Sequence, residues 1–138
     1  MSATRTATQL YRELTAALNS QNLTALDELL TPDFMDHALP PGTPPSIESF
    51  KAFRGSVDGS MGTAATVEDL FAEGDRACAR ITVRATHVGT YMGIPPTGKH
   101  LAIEIIEIIR VQGWQDRRAL ASAPLARPVP TAWRLTNA

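Results

Sequence analysis

The sequence predicts an α+β fold, and two observations carry that prediction. Helical periodicity is confined to residues 4–57, and strand-like alternation takes over from Gly62. Strands and helices do not alternate in turn, which argues against a doubly wound parallel sheet, and no internal repeat is visible. The length, 138 residues, suits one domain, and 43% hydrophobic with 20% charged residues is enough to build a core.

Each element has its own signal. Leu10, Leu14 and Leu18 recur at i, i+4 and i+8 with Tyr11 and Ala17 beside them, so residues 4–19 read as an amphipathic helix. Asn22 can cap a second helix at about 23–30, with Leu23, Leu26, Leu29 and Leu30 on one side, and Pro32 ends it. The Pro- and Gly-rich run PDFMDHALPPGTPPS reads as a loop. Ser46 then caps a third helix, about 47–57, whose apolar side is Ile47, Phe50, Phe53 and Val57.

A first strand is expected over 63–73, followed by a Gly74-Asp75 turn. Residues 77–92 alternate, with Ala77, Ala79, Ile81, Val83 and Ala85 on one face and Cys78, Arg80, Thr82, Arg84 and Thr86 on the other; His87 has the parity of the apolar face. GIPPTG, 93–98, reads as a hairpin loop, and 99–112 as a long isoleucine-rich strand. One face of that strand carries His100, Glu104 and Arg110 and is the wetter one. Glu107 falls on the other, with Leu101, Ile103, Ile105 and Ile109.

Charge and cysteine content exclude several functions. Thirteen basic and fourteen acidic side chains leave a net charge of −1, which removes the electrostatic case for a nucleic-acid partner. Cys78 is the single cysteine, so no internal disulfide and no zinc-ligand spacing exist; His37, His87 and a glutamate could together hold a metal, but no close ligand spacing supports such a site. No apolar run approaches the ~20 residues that span a bilayer, and MSATRTATQL has no hydrophobic signal region, so no membrane partner and a cytoplasmic location are expected.

The average conceals a break. Residues 1–113 hold nine basic and thirteen acidic side chains, a balance of −4, whereas 114–138 hold four arginines and Asp116 alone, a balance of +3. That last segment also has both tryptophans, Trp114 and Trp133, and three of the ten prolines. WQDRRAL shows little alternation, and Pro124, Pro128 and Pro130 argue against a regular central strand.

The chemistry-bearing candidates are His37, His87 and Glu107. Glu107 among apolar neighbours has its charged form disfavoured, which suits a general acid or base; the competing reading is a cross-strand ion pair with an arginine. Either histidine can equally be a surface or hydrogen-bonded structural residue. Asp36 reads as a cap of its local turn, Glu104 and Arg110 as a solvated face, and Cys78 as a small core or surface residue.

The runs PDFMDHALPPG and TVEDLFAEGDRACARITVRATHVGTYMGIPPTGKHLAIEIIEIIRV resemble the SnoaL-like polyketide cyclase (ester cyclase) family of the nuclear transport factor 2-like superfamily. The likeness spans roughly residues 8–113. Its most specific parts are DH-x-x-PPG and TH-x-G-x-x-x-G-I-P-P-T-G. The resemblance implies a cone in which three N-terminal helices pack on a strongly curved antiparallel sheet around a mostly apolar pocket. It also implies homodimers through the sheet, and cofactor-independent, metal-independent aldol ring closure or isomerisation of a small apolar carbonyl compound. His37 and His87 match the two motifs and are implied as pocket residues; Glu107 lies where the family often has an acidic residue. The alternatives are a non-catalytic ligand-binding or dimerisation module and an epoxide hydrolase, which needs a water held by an Asp-Arg-Asp type arrangement.

Relatives in this family continue with a final strand of the form G-[KR]-I-V-E-H-W, and the cyclases carry their acid/base on or just after it; this chain reads GWQDRRAL. Gly113–Leu120 and the first base of the Ala121 codon can be written GGT TGG CAG GAT CGT CGA GCA CTG G. Removing one T at the Gly-Trp junction turns this into codons for G-G-R-I-V-E-H-W. The expectation is therefore a SnoaL-like domain over 1–113 and a frameshifted segment over 114–138, leaving the isoleucine strand with an exposed edge. Read instead as a native terminus, the segment forms an irregular arm or packs Trp133 and Leu135 on a dimer partner. A DNA read across the Gly113 codon decides between them: a single inserted base is expected, and a clean string without an out-of-frame EHW sequence sinks the frameshift.

Overall fold

The computed structural model describes residues 6–91, 93–112 and 118–124. Helix α1, Ala7–Asn19, starts at Thr6, whose side chain accepts from Gln9 N–H while the Gln9 side chain bonds back to Thr6, a reciprocal capping box. A 3-10 turn, Leu23–Ala25, capped by Asn22, runs into the short α2, Leu26–Leu29. Strand β1, Leu30–Asp36, follows directly, and then α3, Ile47–Ser60, capped by Ser46. Strands β2, Ala64–Glu73, β3, Arg76–Thr86, β4, His100–Gln112, and β5, Arg118–Pro124, complete the order.

These strands form one sheet in the order β1-β5-β4-β3-β2, antiparallel throughout except that β1 joins β5 in parallel. Helix α1 lies over its inner face, with Leu10, Tyr11, Leu14 and Ala17 packed on Ala77, Ala79, Ile81, Ile109 and Val111. Phe34 of β1 meets Phe50 of α3 edge-on at 5.4 Å, and the far end of α3 packs Val57 and Met61 on Ala85 and Leu101. A register shift between Val67 and Asp69 lets both Val67 and Leu70 reach the core from β2. Within the described residues no helix is long and apolar enough to cross a membrane.

The sequence reading needs two corrections. Residues 30–36 were expected to lie in the end of the second helix and the loop, yet they pair as β1. Proline is compatible with an edge strand, and Pro32 falls where the register with β5 is irregular, between Leu30 and Met35. The second correction concerns the segment after Gly113, which was expected to leave the edge of the isoleucine strand uncovered. Arg118–Pro124 instead pairs with β4 on one side and β1 on the other. Pro124 is its last residue, opposite Glu107, so it interrupts nothing beyond the strand end. Residues 114–117, Pro128, Pro130, Trp133 and Leu135 lie outside the described residues.

Candidate functional site

Strand parity placed Glu107 correctly. Leu101, Ile103, Ile109 and Val111 are buried on the inner face of β4, whereas Ala102, Glu104, Ile106 and Arg110 are exposed on the other. Glu104 and Arg110 form surface ion pairs, Arg80–Glu104 at 3.0 Å and Arg110–Asp75 at 3.2 Å. Cys78 is half-buried among the outward positions. Glu107, half-buried on the inner side, forms no ion pair with an arginine among the described residues. Ala79 stands opposite it on β3, and Tyr11 of α1 reaches over to donate its hydroxyl hydrogen to Glu107 Oε1.

Groups from three other elements, α1, β1 and α3, act electrostatically on this carboxyl. Burial pushes it above the usual carboxylate range; the Tyr11 hydrogen bond opposes that, the charge of Asp36 adds to it, and the charge of Arg54 on α3 opposes it. The Tyr11 phenol is itself raised, first by burial and then by the Glu107 charge, so it remains a donor. Tyr11 and Arg54 escaped the sequence reading. Tyr11 was one more apolar-face residue of α1, and Arg54 gave no signal within its helix that it served a strand distant in sequence.

Asp36 was expected to cap its own turn, and it does, accepting from Ala38 N–H at 2.8 Å. It is also buried, at the end of β1, in register through Ser122 with Ile109 of β4. Neighbouring residues at a strand end project to opposite sides, and His37 is accordingly exposed. Sequence adjacency in the DH motif therefore does not bring His37 to Glu107; the charge of its neighbour Asp36 acts on that carboxyl instead.

His87 occupies a separate position. It is fully buried, one residue past β3, with its N–H donating to Lys99 carbonyl at 2.9 Å. Thr97 N–H donates to His87 Nδ1 at 3.2 Å, and Thr97 Oγ1 lies 2.9 Å from the same nitrogen. With Nδ1 accepting, the ring proton sits on Nε2, which is buried and has no hydrogen-bond partner among the described residues. The loop is clamped to α3 by Val88 and Gly89 N–H groups, both donating to Ser60 carbonyl at 2.9 Å. A Cβ at Gly89 would lie 2.9 Å from Gly59 carbonyl oxygen, which explains glycine in TH-x-G. The turn closes with Gly93 and Gly98 at positive φ, as the GIPPTG reading expected. His87 lies eight residues beyond Ala79, about 26 Å of extended strand from the row of Glu107. Helix α3 spans the two centres, with Arg54 acting on one and Ser60 holding the other.

No group of three or more His, Cys, Asp or Glu among the described residues is arranged to hold a metal ion. A shallow depression of about 360 Å³ lies on the outer side, lined by Phe71, Glu73, Arg76, Cys78 and Ile108.

The family model for SnoaL-like polyketide cyclase matches residues 8–115. The chain belongs to the SnoaL-like polyketide cyclase family. Its architecture is the nuclear transport factor 2-like cone of solved relatives. IdmH from Streptomyces antibioticus, provisionally assigned as a polyketide cyclase, is 29% identical with TM-score 0.74, over 86% of this chain and 89% of that one. TsrD from Streptomyces laurentii is 27% identical with TM-score 0.72, over 84% of each chain. AclR from Streptomyces galilaeus, provisionally assigned as a hydroxylase, is 26% identical with TM-score 0.70, over 86% and 88%. No curated protein matches this chain.

The raised Glu107 carboxyl has a definite consequence for stability. Its folded-state pKa lies above the unfolded value, so the native state binds the proton more tightly. The protonated form favours folding below the unfolded pKa, and that contribution is lost as pH rises through the folded one. In Glu107→Gln, which keeps an acceptor for Tyr11 but cannot ionise, this loss is absent. Melting temperatures of the two proteins across that window should diverge, with wild type falling relative to the variant as pH rises; parallel profiles would contradict the shift.

Proposed function

We propose that this protein is a cytoplasmic cyclase or isomerase that acts, without a cofactor, on a small apolar compound bearing at least two carbonyl groups. The observation that supports the reading best is the Tyr11–Glu107 hydrogen bond beside the apolar core under α1. Tyr11 holds one carboxylate oxygen and leaves the other for proton transfer. Glu107 then removes a proton from a carbon next to a carbonyl, and the C–H electron pair becomes an enolate. The enolate carbon attacks a second carbonyl carbon of the same chain, forming one C–C bond. The proton on Glu107 passes to the new alkoxide, so substrate and product are isomers. A low-dielectric surround strengthens any donor aimed at the developing charge.

Thermal-shift screening of polyketones, steroids and epoxides, followed by deuterium exchange at ligand C–H groups, tests the reading. Glu107→Gln should lower exchange by roughly 100-fold or more, and Tyr11→Phe by about tenfold. A stabilising ligand with no exchange at any ketone would favour the binding-module alternative; water addition to an epoxide would favour the hydrolase.

The same proposal includes a homodimer built on the outer sheet face, where Phe71 is 63% and Ile106 37% exposed beside Ile108 and Cys78. Phe71→Glu should convert a dimer to a monomer in light scattering, while a monomeric wild type would refute the arrangement.

A further inference from the structure

Helix α3 carries an ion pair that its fold does not require. Phe50, Phe53, Val57 and Met61 form the stripe that packs inward. Arg54 stands within it, one turn before Asp58, whose side chain is 7% exposed. Arg54 Nη2 donates to Asp58 Oδ1 at 3.3 Å, and Thr63 Oγ1–H holds the same oxygen at 2.6 Å, so the guanidinium is anchored from one side. Its Nε–H is buried and has no acceptor among the described residues. A buried donor without a partner costs stability, and a charged pair on an inward stripe is no better for folding than apolar residues of the same shape. Arg54 also acts on the group proposed as the base, because its positive charge opposes the rise of the Glu107 carboxyl.

We propose that Arg54 is a catalytic residue that receives the anionic enolate oxygen formed when Glu107 removes a proton. The inference rests on the proton-abstraction reading above and adds the acceptor of the charge. As the proton moves to Glu107, one negative charge leaves the carboxylate and appears on the substrate oxygen, so the site's total charge is unchanged. Asp58 and Thr63 act as positioning residues that hold the guanidinium still while its Nε–H takes up that oxygen. The ligand class is thus an enolisable ketone, or a phenol that mimics its enolate.

Binding of para-nitrophenol to the intact protein tests this without turnover, since its phenol and phenolate absorb differently. Below the pH at which the free probe ionises, wild type should bind it as the phenolate. Glu107→Gln, which removes the competing negative charge, should bind it at least as tightly. Arg54→Lys keeps a cation for Asp58 but has no Nε–H, and should weaken phenolate binding on the order of tenfold; Arg54→Met should weaken it by roughly 100-fold. Wild-type protein that leaves the probe unbound, or binds it as the neutral phenol, overturns the assignment, and so does undiminished phenolate binding by Arg54→Lys. Phenolate binding that depends on Arg54, with no proton exchange at any ketone, upholds the anion site and refutes only the catalytic reading.

Discussion

The close approach of α1 to the sheet sets the geometry of the whole inner face. Ala77 and Ala79 are fully buried beneath that helix, and their single methyl groups let it settle on β3 and β4. Ala79 stands opposite Glu107. A larger side chain there would occupy the space through which Tyr11 reaches the carboxyl. The hydrogen bond, the burial that raises both groups and the packing of Leu10 and Leu14 are therefore consequences of one small-residue contact.

Around Glu107 the polar groups come from three other elements, and each is held by its own local device. Asp36 is turned by the Ala38 amide, Arg54 by Asp58 and Thr63, and Tyr11 by a helix whose start is closed by a capping box. At the far end of α3 a second centre, His87, is oriented by Thr97 and by a backbone clamp onto Ser60. Such arrangements cost stability where a donor is left unspent. His87 Nε2 and Arg54 Nε are the two buried side-chain atoms in that condition among the described residues, and they sit at the two centres.

The edge of the sheet shows how context overrides residue preference. Pro32 and Pro124 both belong to strands, one in an edge strand at an irregular register and the other at a strand terminus. Proline lacks an N–H, and these are places where the ladder does not need one. A basic segment with weak alternation still pairs as β5, because β4 on one side and β1 on the other supply hydrogen-bonding partners along its length. Periodicity in a short run reports burial of side chains, and backbone pairing does not depend on it.

Alternation and caps were legible without any structure. They placed α1, α3, β3 and β4 within a few residues and put Glu107, His87 and Ile109 on the inner face. These signals are local, since a strand's two faces and a helix's first turn are written in neighbouring residues. The sequence by itself therefore determined the α+β order of elements and which side of each strand is dry. Only the tertiary structure decided that Tyr11, Asp36 and Arg54 act on Glu107, that His37 faces solvent, and that His87 stands apart. The three that act on Glu107 lie from 53 to 96 positions away in the chain, and no local periodicity records which faces will meet.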